Sequence, residues 1–209
     1  MKFVIFDTET TDLRGEVIQL SYMLVDGETF DVLDFDSFYC DTTARITKGA
    51  FDVHGINESI LESLSGGRFL EDYLLNDPKK KSVFIDGTGL VFMGYNVKFD
   101  IDSVNRTLLA SGTSLTGMIE TKSLSNLSGA FSYSYDLMEA TRNYLRVPRS
   151  IKLERATEIV TKKNIPGLDI ESLYETYKDK FHLSSRGGYY HDASYDVFCT
   201  YLLLLALNV

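Results

Sequence analysis

The sequence predicts an α/β fold: a mixed β-sheet containing an antiparallel three-stranded meander, flanked by helices. Two observations predict it. Three strand-like segments follow one another within the first 39 residues, joined by links short enough for antiparallel turns. Helical segments then dominate, so strands come first, mixed elements next and helices last. At 209 residues, with 44% hydrophobic and 24% charged residues, the chain fits one globular domain, with at most a small appendage.

The first strand runs from Lys2 to Asp7, where Phe3-Val4-Ile5-Phe6 is an apolar run of the buried kind. A polar turn through Arg14-Gly15 leads to a second strand, Val17 to Val25. Asp26-Gly27 is a hairpin signal before the third, Thr29 to Tyr39. In that third segment Phe30, Val32, Phe35 and Phe38 alternate imperfectly with Asp31, Asp34, Asp36 and Ser37. Asn57 to Leu75 reads as helix, interrupted at Gly66-Gly67 and stopped by Asp77-Pro78. Val83-Phe84-Ile85 and Leu90-Val91-Phe92-Met93 read as short strands around Asp86-Gly87-Thr88-Gly89. Helices are expected at Phe99 to Ala110, Leu137 to Tyr144, Leu153 to Lys163 and Ile170 to Phe181, with Pro148 and Pro166-Gly167 as breakers. Asp192 to Leu207 is the last helix. No internal repeat or low-complexity linker interrupts the series.

The longest apolar run, Tyr201 to Leu207, is too short to span a bilayer. Met1-Lys2 leads directly into a strand, so no signal peptide is expected. Cys40 and Cys199 do not make a disulfide framework; they are expected as free buried thiols in a cytoplasmic protein. The net charge of −9 argues against a nonspecific nucleic-acid coat. Its distribution is uneven, however. Residues 1–41 carry ten acids against two bases, whereas 142–163 carry seven bases (Arg142, Arg146, Arg149, Lys152, Arg155, Lys162, Lys163) against Glu154 and Glu158. That basic stretch is either a solvated helical face or a surface that tracks phosphates.

Three acidic islands stand far apart: Phe6-Asp7-Thr8-Glu9-Thr10-Thr11, Asn96-Val97-Lys98-Phe99-Asp100 and His191-Asp192-Ala193-Ser194-Tyr195-Asp196. Asp7 and Glu9 lie at the tip of a buried strand, where i and i+2 share a face and both carboxylates can reach one ion. Charge near a core is costly unless something pairs with it, and a divalent metal is a natural partner. Asp100 alone could be a charge favouring a helix N-terminus. A lone histidine is more often structural, and His182 is left in that role. The islands together supply four carboxylates and one histidine, sufficient for two-metal phosphodiester hydrolysis.

In this combination the sequence resembles the DEDD exonucleases, in the DnaQ-like branch that uses histidine in its third motif (DEDDh). Asp7-Thr8-Glu9-Thr10-Thr11 resembles the D-x-E-T-T that ends a strand in the first motif. Tyr95-Asn96-Val97-Lys98-Phe99-Asp100 resembles the second, N-x-x-F-D opening a helix, and His191 to Asp196 the third, H-x4-D. Val53-His54-Gly55-Ile56 looks like the V-H-G-I segment of proofreading-type members. Ile119-Glu120-Thr121 looks like an I-D-T segment with Glu for Asp. The resemblance covers nearly the whole chain. Asp12 stands where the family commonly has Gly, residues 77–90 look like an insertion, and 128–185 is a variable helical region in which 128–165 match no motif. Gly87-Thr88-Gly89 lacks the lysine and remaining glycines of a phosphate-binding loop.

The resemblance implies a ribonuclease H-like fold and a single exonuclease domain over 1–209. It implies hydrolysis from the 3′ end of single-stranded DNA, releasing nucleoside 5′-monophosphates, with two Mg²⁺ or Mn²⁺ ions. Asp7 would bridge the ions, Glu9 and Asp196 would complete the site of the ion that holds the attacking water, and Asp100 would hold the other. His191 would take the proton from that water. Thr10, Thr11 and Leu13 would meet the terminal nucleotide, and His54, Asn96 and Phe99 would line its pocket. The same residues serve an exoribonuclease or oligoribonuclease. A nucleic-acid-binding module without catalysis and an acidic metal-binding protein are the readings from other classes. A polymerase or replication partner fits the proofreading resemblance, whereas oligomeric state is not legible.

Overall fold

In the computed structural model residues 1–86, 89–112, 122–123, 133–186 and 190–207 are described. The expected Gly87-Thr88 turn and the Ile119-Glu120-Thr121 segment lie outside these residues. The chain begins with β1 (Lys2–Thr10), β2 (Val17–Asp26) and β3 (Val32–Tyr39), then α1 (Lys48–His54), α2 (Glu58–Ser65), α3 (Leu70–Asn76) and α4 (Pro78–Phe84). It continues with β4 (Leu90–Gly94), α5 (Val97–Ala110), β5 (Lys122–Ser123) and β6 (Tyr133–Asp136). The helices α6 (Leu137–Leu145), α7 (Leu153–Asn164), α8 (Ile170–Phe181) and α9 (Ala193–Leu207) complete it.

The sheet order is β3-β2-β1-β4-β6-β5. β1 pairs antiparallel with β2 and parallel with β4, and β2 pairs antiparallel with β3. The expected mixed sheet with a three-stranded meander is therefore present. β1 is central and buried on both faces. Val4 and Phe6 enter a core with Val97, Ile101, Val104 and Leu108 of α5, while Phe3 and Ile5 enter one with Val197, Phe198 and Leu202 of α9. α9 is apolar on every side because α7 packs on its outer face through Ala156, Val160, Leu203 and Ala206. Truncating a side chain such as the fully buried Phe198 to Ala would cost about 3–5 kcal/mol. Among the described residues no helix is long and apolar enough to cross a membrane.

Several expectations are corrected. Val83-Phe84 form the last turn of α4 and Ile85 its cap, not a strand. Asp77 caps that helix by accepting the Lys79 and Lys80 N–H groups, Pro78 sits in its first turn, and Val83 and Phe84 bury into the α5-side core. The third strand starts at Val32, because Asp26 Oδ1 accepts the Glu28 and Thr29 N–H groups and holds a wider turn. α5 starts at Val97 rather than Phe99. α1 was not anticipated, nor was β6, which lies parallel to β4 at the start of the region read as helical.

Candidate active site

The side chains of Asp7 and Glu9 follow Phe3 and Ile5 on the α9 face of β1, at the end where β1 outruns its parallel neighbour β4. The β1–β2 register shifts between Glu9 and Thr10, an irregularity of the kind that re-aims side chains near functional sites. The following turn is closed by Gly15 N–H donating to the Asp12 carbonyl and Asp12 Oδ1 accepting the Leu13 N–H. A Cβ at Gly15 would stand 2.1 Å from Thr11 Oγ1, so the glycine here is required, and Asp12 is accommodated without a positive φ.

Asp100 arrives from the other face. Its Oδ1 accepts both the Thr8 N–H at 2.9 Å and the Thr8 hydroxyl at 2.8 Å. Residue 8, which points away from α9, thus ties α5 to the strand carrying Asp7 and Glu9. Asn96 starts this helix at a φ of 73°, and its N–H donates to Asp136 Oδ1, which also caps α6 by accepting the Met138 N–H.

The third group forms at the entry to α9. His191 has a φ of 65°, and the turn it makes lets its N–H donate to Asp196 Oδ2 at 3.0 Å. Glu9, His191 and Asp196 each offer a ligand atom lying within 4.8 Å of the others. Asp196 Oδ1 is buried with no hydrogen-bond partner, an atom left free for a cation.

The electrostatics also favour a cation. Burial pushes Asp7 well above the ordinary carboxylate range, and Asp100, Asp196 and Glu9 reinforce the rise. Burial, then Asp196, does the same to Glu9. Burial lifts Asp100 to about 7 against the two Thr8 hydrogen bonds, and lifts Asp196 to about 8. Four mutually repelling carboxylates with hard oxygen donors suit Mg²⁺ or Mn²⁺, so the donor set fits such ions. His191 is held below its ordinary value by partial desolvation and by the Lys152 ammonium, with Glu154 opposing.

These residues meet in one cleft of about 770 Å³, lined in part by Asp7, Glu9, Thr10, Leu13, His54, Phe99, Asp100, His191 and Asp196. Leu13 is 81% exposed at its rim. Thr11 and Asn96 do not line it. The buried Thr11 Oγ1 accepts the Glu16 N–H, and Asn96 faces solvent as a helix-start residue. His54 is more a brace than an open pocket residue. Its Nε2 lies 3.2 Å from the Thr10 carbonyl and its Nδ1 accepts the Ile56 N–H, which places the ring proton on Nε2. Burial pushes its pKa down to about 4.

Gln19 and Arg186, which carry no sequence signal, brace the site. Gln19, the cross-strand partner of Glu9, contacts Asp192 and Ala193. Arg186 donates to the His54 carbonyl and to the His191 carbonyl, and its backbone N–H donates to Asp192 Oδ2. Tyr95, Met138, Lys152 and Tyr190 also line the cleft. Tyr190 packs edge-on against Tyr195.

No family model and no curated protein matches the sequence. Among solved structures, the chain is similar to E. coli exonuclease I in complex with a dA16 oligonucleotide, with 18% identity and a TM-score of 0.66 over 97% of this chain and 40% of that one. It is similar to exonuclease X in complex with 5′ overhanging duplex DNA, with 16% identity and a TM-score of 0.59 over 98% of this chain and 90% of that one. The zinc-ion-bound form of the E. coli exonuclease I–single-stranded DNA complex matches at 20% identity and a TM-score of 0.60, over 96% of this chain and 38% of that one. The chain thus spans about 40% of the length of exonuclease I. At these identities the likeness establishes the fold, and it is the exonuclease, ribonuclease H-like arrangement that the motifs imply.

Proposed function

We propose that this chain is a metal-dependent 3′-to-5′ exonuclease that hydrolyses single-stranded DNA and releases nucleoside 5′-monophosphates. The observation that carries the reading is the convergence of Asp7, Glu9, Asp100, Asp196 and His191, from three distant segments, in one cleft of an exonuclease fold. DNA is favoured over RNA because the similar structures hold an oligodeoxynucleotide and duplex DNA.

Asp7, Glu9, Asp100 and Asp196 would hold two Mg²⁺ or Mn²⁺ ions, which when bound activate water and offset charge on the phosphate. His191 is the base. It is exposed at the cleft and held below its ordinary pKa, so at neutral pH its ring is free to accept a proton from water. Its N–H bond to Asp196 Oδ2 keeps the base and that carboxylate in fixed relation. His54 supports the Thr10 carbonyl from behind, holding in place the backbone that would face the terminal 3′-hydroxyl. Leu13 and Phe99 supply apolar surface on which a terminal base can stack without reading its identity.

The test is a gel time course on matched 5′-labelled single-stranded DNA and RNA with Mg²⁺, Mn²⁺ or EDTA, beside Asp7→Ala. The expected result is a metal-dependent ladder shrinking from the 3′ end, faster on DNA and absent in the variant. A faster RNA ladder would make the chain an exoribonuclease. No cleavage of either by folded, metal-loaded protein would overturn the reading.

A further inference from the structure

We infer that the segment joining α6 to α7 grips the bound strand, with Lys152 binding the backbone phosphate that precedes the scissile one. This deepens the exonuclease reading and rests on it. Ser150, Ile151, Lys152, Leu153 and Glu154 all line the cleft. The segment is held in register: the Tyr95 hydroxyl donates to the Ile151 carbonyl at 2.6 Å, and Ile151 and Leu153 pack against the α7–α9 core.

Charge supplies the second argument. The other charged groups lining the cleft are Asp7, Glu9, Asp12, Asp100, Glu154 and Asp196, all acidic, and among the described residues Lys152 is the one lysine or arginine there. A polyanionic strand entering such a cleft needs a cation away from the buried carboxylates. The rest of the 142–163 stretch is committed elsewhere or turned away. Arg142 pairs with Glu139, Arg155 pairs with Glu158, and Lys163 lies over the Tyr144 ring; Arg146, Arg149 and Lys162 do not line the cleft. None of the ion pairs among the described residues involves Lys152, and it stands near enough to His191 for its charge to be felt there. Glu9, Asp100 and Asp196 are buried and Asp7 partly so, whereas Lys152 is exposed on the cleft lining.

The experiment compares wild type, Lys152→Gln, Lys152→Arg and Arg149→Gln on a labelled single-stranded oligonucleotide across salt concentrations. It also uses the p-nitrophenyl ester of thymidine 5′-monophosphate, which has no preceding phosphate. For Lys152→Gln the strand KM should rise about tenfold, as for loss of one charge-assisted contact. The slope of log KM against log salt should fall by about 0.7. At pH 8, where the His191 ring is unprotonated with or without the Lys152 ammonium, ester hydrolysis should stay within about twofold. Lys152→Arg should restore the strand KM, and Arg149→Gln should leave it unchanged. An unchanged KM and slope in Lys152→Gln would overturn the proposal while leaving the exonuclease reading intact. So would an equal loss on the ester, which would place Lys152 at the reacting centre. If wild type hydrolyses neither substrate, the exonuclease reading fails before any variant is compared, and this inference falls with it.

Discussion

Gln19 Nε2 donates to Asp192 Oδ1 at 3.0 Å, joining the cross-strand partner of Glu9 to the neighbour of His191. Gln19 Oε1 also accepts the Ala193 N–H, so one side chain grips the start of α9 with both ends. Asp192, 1% exposed, takes further hydrogen bonds from the Ser194 hydroxyl and the Arg186 N–H. Its charge is satisfied by structure. Asp196, four residues on, keeps one buried oxygen without a partner. The two acids of the third island thus divide the work: one fixes α9 against β2, and the other is presented to the cleft.

Gln19→Leu should therefore destabilise the protein by about 1–3 kcal/mol, because it strips a donor from a buried carboxylate. It should also weaken metal binding, because Asp196 and Glu9 lose their common support. Urea unfolding with and without Mn²⁺ measures both effects. A variant with the wild-type midpoint and wild-type metal response would show that the latch is dispensable.

The raised carboxylates make a pH prediction. Asp100 near 7 and Asp196 near 8 lie above the ordinary value of 3.8. Between those limits the folded state keeps protons that the unfolded chain has released, so stability falls as pH rises. His54 acts in the opposite sense, but only below its ordinary 6.5, because its folded value of about 4 leaves the unfolded chain binding the proton there. Metal-free protein should consequently lose thermal stability between pH 6.5 and 8. Mg²⁺ or Mn²⁺ should restore it, and Asp196→Asn should raise the metal-free Tm at pH 8 by at least about 2–4 °C, the shift expected for 1 kcal/mol in a chain of this size. A flat metal-free profile across that window would contradict the rise that burial, and then neighbouring acids, impose on these carboxylates.

The residues that carry charge were legible because each island sits on a local signal: an apolar strand before Asp7, a helix start around Asp100, a turn before the last helix at His191. The supports were not. Gln19 meets Asp192, and Arg186 meets the His54 carbonyl, across 173 and 132 residues of sequence, through residue types that occur on any surface. Thr8 gives up its N–H and hydroxyl to Asp100 for the same long-range reason. In the fold, Val83-Phe84-Ile85 was misread because a short apolar run fits a buried strand as well as a helix face, and the Asp77-Pro78 start signal decides the matter. β6 escaped notice because Tyr133–Asp136 is short, polar and half-buried, so neither an apolar run nor clean alternation marks it.

His54 should matter to stability more than to chemistry. It is buried and neutral, and it links the Thr10 carbonyl to the Ile56 N–H. His54→Ala should cost about 1–3 kcal/mol by leaving those groups unsatisfied. Its effect on kcat should be smaller than that of His191→Ala. The stability lost on acidification below pH 6.5 in metal-loaded wild type should be reduced in His54→Asn, which has no titrating ring. Equal acid sensitivity in the two proteins would assign that loss to another group.

His191 lies close enough to Glu9 and Asp196 to serve either as a metal ligand or as a base, and the two roles separate experimentally. As the base, its loss in His191→Ala should lower the rate by roughly 10²–10⁴. The Mn²⁺-induced rise in Tm should remain near wild type, because the four carboxylates still hold the ions. The backbone N–H that donates to Asp196 survives the substitution, so the carboxylate stays in place. Asp7→Ala should show the converse pattern, with hydrolysis abolished and the Mn²⁺-induced rise in Tm reduced. A collapse of the Mn²⁺ response in His191→Ala to the level of Asp7→Ala would make His191 a ligand, and the proton acceptor would have to be sought elsewhere in the cleft.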